Sequence, residues 1–181
     1  MKMLPLLLML TVPCTVVPPA DSSEGPPLPF SERVPLLGPD AISVLKGAER
    51  VEVFRLDQSM MPPGPEDKIE KIVSGYRVIS TGKVQGKKFA ARLAAVLLDE
   101  KTYSGEHKAC EPTPGVAFRL WKGKQHVDVT LCFECNMLSV NSVGGDFDLV
   151  RPALVSLAKE AFPDDARIQK LRERPPFPQC E

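Results

Sequence analysis

GVAFRLWKGKQHVDVTLCFECNMLSV, residues 115–140, is the stretch whose pattern decides the fold. Val116, Phe118 and Leu120 alternate with Ala117, Arg119 and Trp121. After Lys122-Gly123-Lys124-Gln125, Val127, Val129, Leu131 and Phe133 recur at every second position. A period of two belongs to a strand with one buried face, and a polar break containing Gly reverses the chain. The stretch reads as an antiparallel β-hairpin whose arms point their aliphatic residues the same way.

On the N-terminal side, Lys87 to Leu98 has the opposite period. Phe89, Leu93, Val96 and Leu97 fall at helical spacing among alanines that favour helix intrinsically. Val51 to Leu56 alternates with β-branched residues and reads as a strand; Tyr76 to Val84 reads as a second strand able to pair with it. Asp40 to Leu45 fits one short helical turn ended by Gly47, and Gln58 to Pro65 is a proline-rich loop. In Lys68 to Ser74, Ile69, Ile72 and Val73 fit a helical face but the run is only two turns long, and Asp99 to Pro114 is a connection.

On the C-terminal side, Asn141 to Gly145 reads as a loop leading to Asp146 or Asp148 as a helix cap. Phe147, Val150, Leu154, Leu157, Ala158 and Ala161 then form an amphipathic stripe, with Pro152 tolerable near the first turn and Pro163 as the stop. Asp164 to Arg174 is charged and suits a surface helix packing Ile168 and Leu171. The predicted order is β-β-α-β-β-α. It implies an α+β fold: an antiparallel sheet of about four to five strands with helices packed on one face.

Residues 1–20 have a positive start, a short apolar core from Leu4 to Leu10 and then small residues, the build of a secretory signal cleaved after Ala20. Pro13, Pro18 and Pro19 break the run too early for a membrane span. Thr11-Val12-Pro13-Cys14 offers an alternative, lipid attachment at Cys14, although Thr11 and Pro13 depart from the usual lipobox. Residues 21–39 are a proline-rich linker, residues 40–163 one α+β domain, and residues 164–181 a charged, partly disordered tail. The expected location is periplasmic or extracellular, with a membrane reached only through Cys14. Equal numbers of basic and acidic residues, 23 each, give nothing that favours a polyanion, so no nucleic-acid partner is expected.

With Cys14 in the leader, Cys110, Cys132, Cys135 and Cys180 remain, and four thiols in an exported chain favour disulfides. Cys180 lies in the tail. Along a straight strand Cys132 and Cys135 would sit about 10 Å apart on opposite faces. They can join each other or share a metal only if Phe133-Glu134 turns the chain; otherwise one of them faces Cys110 or the core. The pairing among Cys110, Cys132 and Cys135 stays open. His107, Cys110, Cys132 and Cys135 also form a nitrogen and sulfur set of the kind zinc accepts, the one cofactor considered. A third reading makes Cys132 and Cys135 a redox dithiol, with Glu134 between them and no helix following.

Other candidates have plainer roles. His126 shares a strand face with Asp128, Thr130 and Cys132, but six strand positions, about 20 Å, are too many for proton transfer to Cys132. Asp128 and Glu134 suit the wet side of a strand, Lys83, Lys87 and Lys88 a solvated patch, and Trp121 a half-buried contact beside the turn. Ser80-Thr81-Gly82-Lys83 lacks the spacing of a phosphate-binding loop, and no Gly-x-Ser-x-Gly or His-Glu-x-x-His occurs.

Val51 to Leu56, Gly75-Tyr76-Arg77-Val78 and Leu131-Cys132-Phe133-Glu134-Cys135 resemble a group of uncharacterised exported bacterial proteins, planctomycete-like in their proline-rich composition. The resemblance spans residues 41–162 and turns on the Cys-Phe-x-Cys strand end. It implies export and domain extent and carries no activity. The expectation is an exported, non-enzymatic binding or structural domain of the cell envelope, stabilised by cysteines, whose partner is another protein or an envelope component. The alternative is a zinc or thiol-redox protein centred on Cys132 and Cys135.

Overall fold

The computed structural model describes residues 37–59, 62–65, 67–68, 71–103, 110–141 and 143–174. The leader, Cys14, most of the linker, His107, residues 175–181 and Cys180 lie outside them. The described chain runs α1 (Pro39–Gly47), β1 (Arg50–Leu56), β2 (Ile72–Val73), β3 (Tyr76–Thr81), β4 (Gln85–Gly86), α2 (Lys87–Leu97), β5 (Val116–Lys122), β6 (Gln125–Cys132), β7 (Met137–Val140), β8 (Val143–Asp146), α3 (Arg151–Ala161) and α4 (Ala166–Gln169). Short 3-10 turns at Glu100–Tyr103 and Asp148–Val150 fill two of the joints.

The fold is α+β with one curled antiparallel sheet in the order β2-β3-β1-β5-β6-β7-β8, with β4 pairing the start of β1. Among the described residues it has eight strands, where the sequence pattern predicts four or five. The predicted strands are β1, β3, β5 and β6. β2 and β4 are two residues each, too short to show a period. β8 falls in the Gly-rich segment expected to be a loop, and it is extended because β7 pairs with it from Met137↔Asp146 to Val140↔Val143. The β-β-α-β-β-α order is therefore replaced by a longer one.

The central hairpin has the predicted register. Val116 faces Leu131, Phe118 faces Val129 and Leu120 faces Val127, all fully or almost fully buried. Gly123, at φ +57°, occupies the left-handed position that the reversal before Gln125 requires. The β2–β3 hairpin turns on Ser74 and Gly75, both at positive φ, as a two-residue type I′ turn demands.

Alternate sheet positions Val51, Val53, Val116, Phe118, Leu120, Val127, Val129, Leu131, Leu138 and Val140 belong to one apolar cluster with Val44 and Leu45 of α1, Phe89, Leu93 and Leu97 of α2, and Leu154, Leu157 and Ala158 of α3. Phe89 meets Phe118 with ring centres 5.9 Å apart. Pro152 sits in the first turn of α3, where its missing N–H has no helical acceptor to lose. A second, smaller cluster joins Phe54, Leu56, Val73 and Ala117, with Tyr76 and Val78 against it. It lies at the alternate positions of β1 and β5, under the β2–β3 hairpin.

Packing continues past Pro163, where the sequence places the edge of the domain. Ile168 is buried in the main cluster, and Asp165 caps α4 by accepting from the N–H groups of Arg167 and Ile168. The Asp165 carboxylate also takes the Nε of buried Arg55 at 2.8 Å. Burial pulls this carboxyl up, but the Ile168 N–H and the Arg55 guanidinium outweigh it and hold it below the usual range. No helix among the described residues is long and apolar enough to cross a membrane.

Candidate functional site

The cysteine-bearing end of β6 is the chemically richest corner of the molecule. Cys132 pairs with Met137, so residues 133–136 form a four-residue loop between β6 and β7. Asn136 closes it at φ +54°, a conformation Asn tolerates better than most residues. The strand therefore does not run straight through the two cysteines. Cys135 turns back onto the link before β5 and is disulfide-bonded to Cys110, with Cα atoms 6.0 Å apart. Its sulfur also lies 3.6 Å from the Glu111 carbonyl.

Cys132 carries the one free thiol among the described residues and is buried. Its Sγ donates toward Glu134 Oε2 at 3.8 Å, a weak contact with a side chain that otherwise faces solvent. Arg151, on the first turn of α3, holds this loop from beneath. It is buried, donates to the Phe133 carbonyl at 2.6 Å and to Asn136 Oδ1, stacks near the Phe133 ring, and its Nε reaches the Arg172 carbonyl. Burial pulls the guanidinium below its ordinary value while Asp148 and Glu134 pull it back. Asn136 Nδ2 in turn donates to Asp148, and the Asn136 carbonyl accepts from Phe147.

A small cavity of about 80 Å³ touches Phe133 and Glu134 of the loop, and two others lie on the side of residues 110–114. The larger, about 330 Å³, lies among Asp57, Ser74, Tyr76, Arg77, Glu111 and Pro112. The second, about 210 Å³, lies among Pro112, Pro114, Thr130, Cys132, Met137 and Ser139. Both are lined by Ser74, Tyr76 and Pro112, so they form one trough between the β2–β3 turn and residues 110–114. Arg77 secures its outer wall with bonds to Asp67 at 2.7 and 2.9 Å and to Asp57 at 3.2 Å. The Arg77 guanidinium and the Gly64 N–H hold the Asp67 carboxyl below its usual range.

No protein family, curated protein or solved structure matches the chain. The site is therefore built from its own residues. Of the set drawn from the sequence for zinc, Cys110 and Cys135 are joined, Cys132 precedes the same loop and His107 lies outside the described residues, among which no group of three or more possible metal ligands occurs. While Cys110 and Cys135 are bonded to each other, neither can serve as a thiolate ligand.

The remaining candidates are placed elsewhere. His126 packs against Trp121 with ring centres 4.6 Å apart and planes tilted at 45°, and Arg50 lies 4.9 Å over the same Trp ring, at the far end of β6 from Cys132. Asp128, expected on the wet side of its strand, is instead buried in a two-pronged pair with Arg119, at 2.6 and 2.8 Å. Lys83, Lys87 and Lys88 are solvated. The sequence pattern missed Tyr76, Ser74, Pro112 and Arg151. The first three acquire meaning only when the β2–β3 turn and the 110–114 link converge, and a helical Arg one residue before Pro152 looks like an ordinary surface residue.

Proposed function

We propose that this chain is an exported, disulfide-braced binding domain of the cell envelope, without a catalytic role, and that its partner docks in the trough at Tyr76 and Pro112. The single observation behind this reading is the pair of adjoining cavities beside the Cys110–Cys135 bond. Binding surfaces commonly sit on links held by a rigid scaffold, and this link is tied to the sheet covalently. Tyr76, Pro112, Pro114 and Met137 offer apolar contact; Ser74, Thr130 and Ser139 offer hydroxyls. With Glu111 and the paired Asp57 and Arg77 at the wider end, that mixture suits a group with both apolar and hydrogen-bonding parts.

Arg55, Arg119 and Arg151 are committed to bonds within the fold, which favours a scaffold over an acid–base centre. Export rests on the order of residues 1–20 and on the likeness to exported bacterial proteins. A helix layer on one sheet face, supported by the single main cluster, would leave the opposite face and its trough for a partner.

Cell fractionation followed by thiol counting, metal analysis and photo-crosslinking from a benzophenone side chain at Ser74 tests this. Expected are an envelope fraction, a Cys110–Cys135 bond, and one saturable adduct that a benzophenone at Lys124 does not form. A cytosolic chain with reduced Cys110 and Cys135 and one bound zinc would overturn the reading in favour of the metal alternative.

A further inference from the structure

We propose that Cys132 is the attacking thiol of an internal thiol–disulfide exchange that moves the bond from Cys110–Cys135 to Cys132–Cys135. The inference goes beyond the binding role and does not require the trough to hold a ligand.

Three features bring the sulfurs into one exchange site. First, Cys132 immediately precedes the four-residue reversal 133–136 and Cys135 lies within it. Residues three apart in a turn have Cα atoms within about 7 Å, which is also the ceiling for a disulfide. Second, Cys132 lines the second cavity together with Pro112 and Pro114, so it faces the link that carries Cys110. Third, Glu134 Oε2 lies 3.8 Å from the Cys132 sulfur, on a residue between the two cysteines.

The chemistry balances without an external oxidant. The Cys132 thiol gives its proton to the Glu134 carboxylate, and the thiolate attacks Cys135 Sγ. The Sγ–Sγ bond from Cys132 to Cys135 forms as the bond to Cys110 breaks, and Cys110 leaves as a thiolate that takes up the proton. One disulfide and one thiol exist before and after. Arg151 fixes the loop throughout, through the carbonyl of the residue after Cys132 and the side chain of the residue after Cys135. The exchange unties the segment bearing Pro112, which both cavities share. A buried small side chain with no chemistry is the competing account of Cys132, and it forbids any change of bond.

The test uses the full chain with Cys14→Ser and Cys180→Ser, leaving three sulfurs. The folded protein is held for hours in N-ethylmaleimide without denaturant or reductant and mapped by peptide mass spectrometry. Expected are two species: label on Cys132 with the original bond, and label on Cys110 with a Cys132–Cys135 bond. The Cys110 label should be lost in Cys132→Ser. In Cys110→Ser, whose folding is checked by circular dichroism, oxidised glutathione should close Cys132 to Cys135 with loss of both thiols. Label confined to Cys132 in the three-sulfur chain overturns the proposal. So does a bond mapped from Cys110 to Cys132, or a folded Cys110→Ser chain that keeps two thiols.

Discussion

The Arg151 guanidinium donates to the Phe133 carbonyl across 2.6 Å, binding the first turn of α3 to the loop between Cys132 and Cys135. The sulfur-bearing loop is thus held by a residue 18 positions further along the chain. Its shape depends on α3 being docked.

Replacing that side chain therefore should damage the cysteine corner before the rest of the domain. Arg151→Ala orphans the buried Phe133 carbonyl and Asn136 Oδ1, each worth about 1–3 kcal/mol when left unsatisfied in a buried position. Urea denaturation should show a loss of that size. Arg151→Lys should recover only part of it, because an ammonium cannot span the same acceptors in a fixed fork. A variant as stable as the wild type would show that the loop stands without the Arg.

The disulfide should contribute strongly to stability. It joins positions 25 residues apart, for which the chain-entropy relation gives about 3.5 kcal/mol. Cys135→Ser should lower the unfolding free energy by that order, and dithiothreitol should do the same to the wild type but not to this variant. An equal effect of reductant on Cys135→Ser would assign the stabilisation to another bond.

Acid should weaken the link between β1 and the C-terminal turn. Asp165 has a folded value below its ordinary 3.8, so its pair with Arg55 contributes fully above that value and is lost as pH falls through the lower folded one. Asp165→Asn should be less stable than the wild type at neutral pH, and the difference should shrink on acidification. Because Asp165 is partly exposed, the neutral-pH loss should fall below the roughly 3–5 kcal/mol of a fully buried pair. Urea midpoints of both proteins from neutral pH down into the acid range check this.

Gly82 should resist substitution although its φ is unremarkable. A Cβ there would stand 2.6 Å from Val53 Cγ2 and 2.7 Å from the Ala161 carbonyl, which cannot yield without moving the end of α3. Gly82→Ala should cost about 1–3 kcal/mol by overpacking. Gly86→Ala, with open space around its Cβ, serves as the control. Thermal denaturation of the two variants side by side separates them.

Much of the fold was legible because periodicity is local. The alternation in β5 and β6 names the buried face, and the spacing of Phe89, Leu93 and Leu97 names the inner face of α2. β8 was not legible: a Gly-rich segment carries no pattern of its own and becomes a strand through hydrogen bonds from β7. Of the site, the cysteines were visible and their partners were not. Cys135 could have met Cys132, Cys110 or the core, and only a turn at residues 133–136 brings it to Cys110.

What the sequence alone determined, then, is which residues turn inward along each element, since that depends on neighbours two to four positions away. The tertiary structure alone decided which elements meet. Arg151 beneath Phe133, Arg55 beside Asp165 and Ser74 beside Pro112 join segments tens of residues apart. Such contacts form only once the sheet has curled and the helices have docked, because ordering distant segments costs chain entropy that local pattern cannot supply.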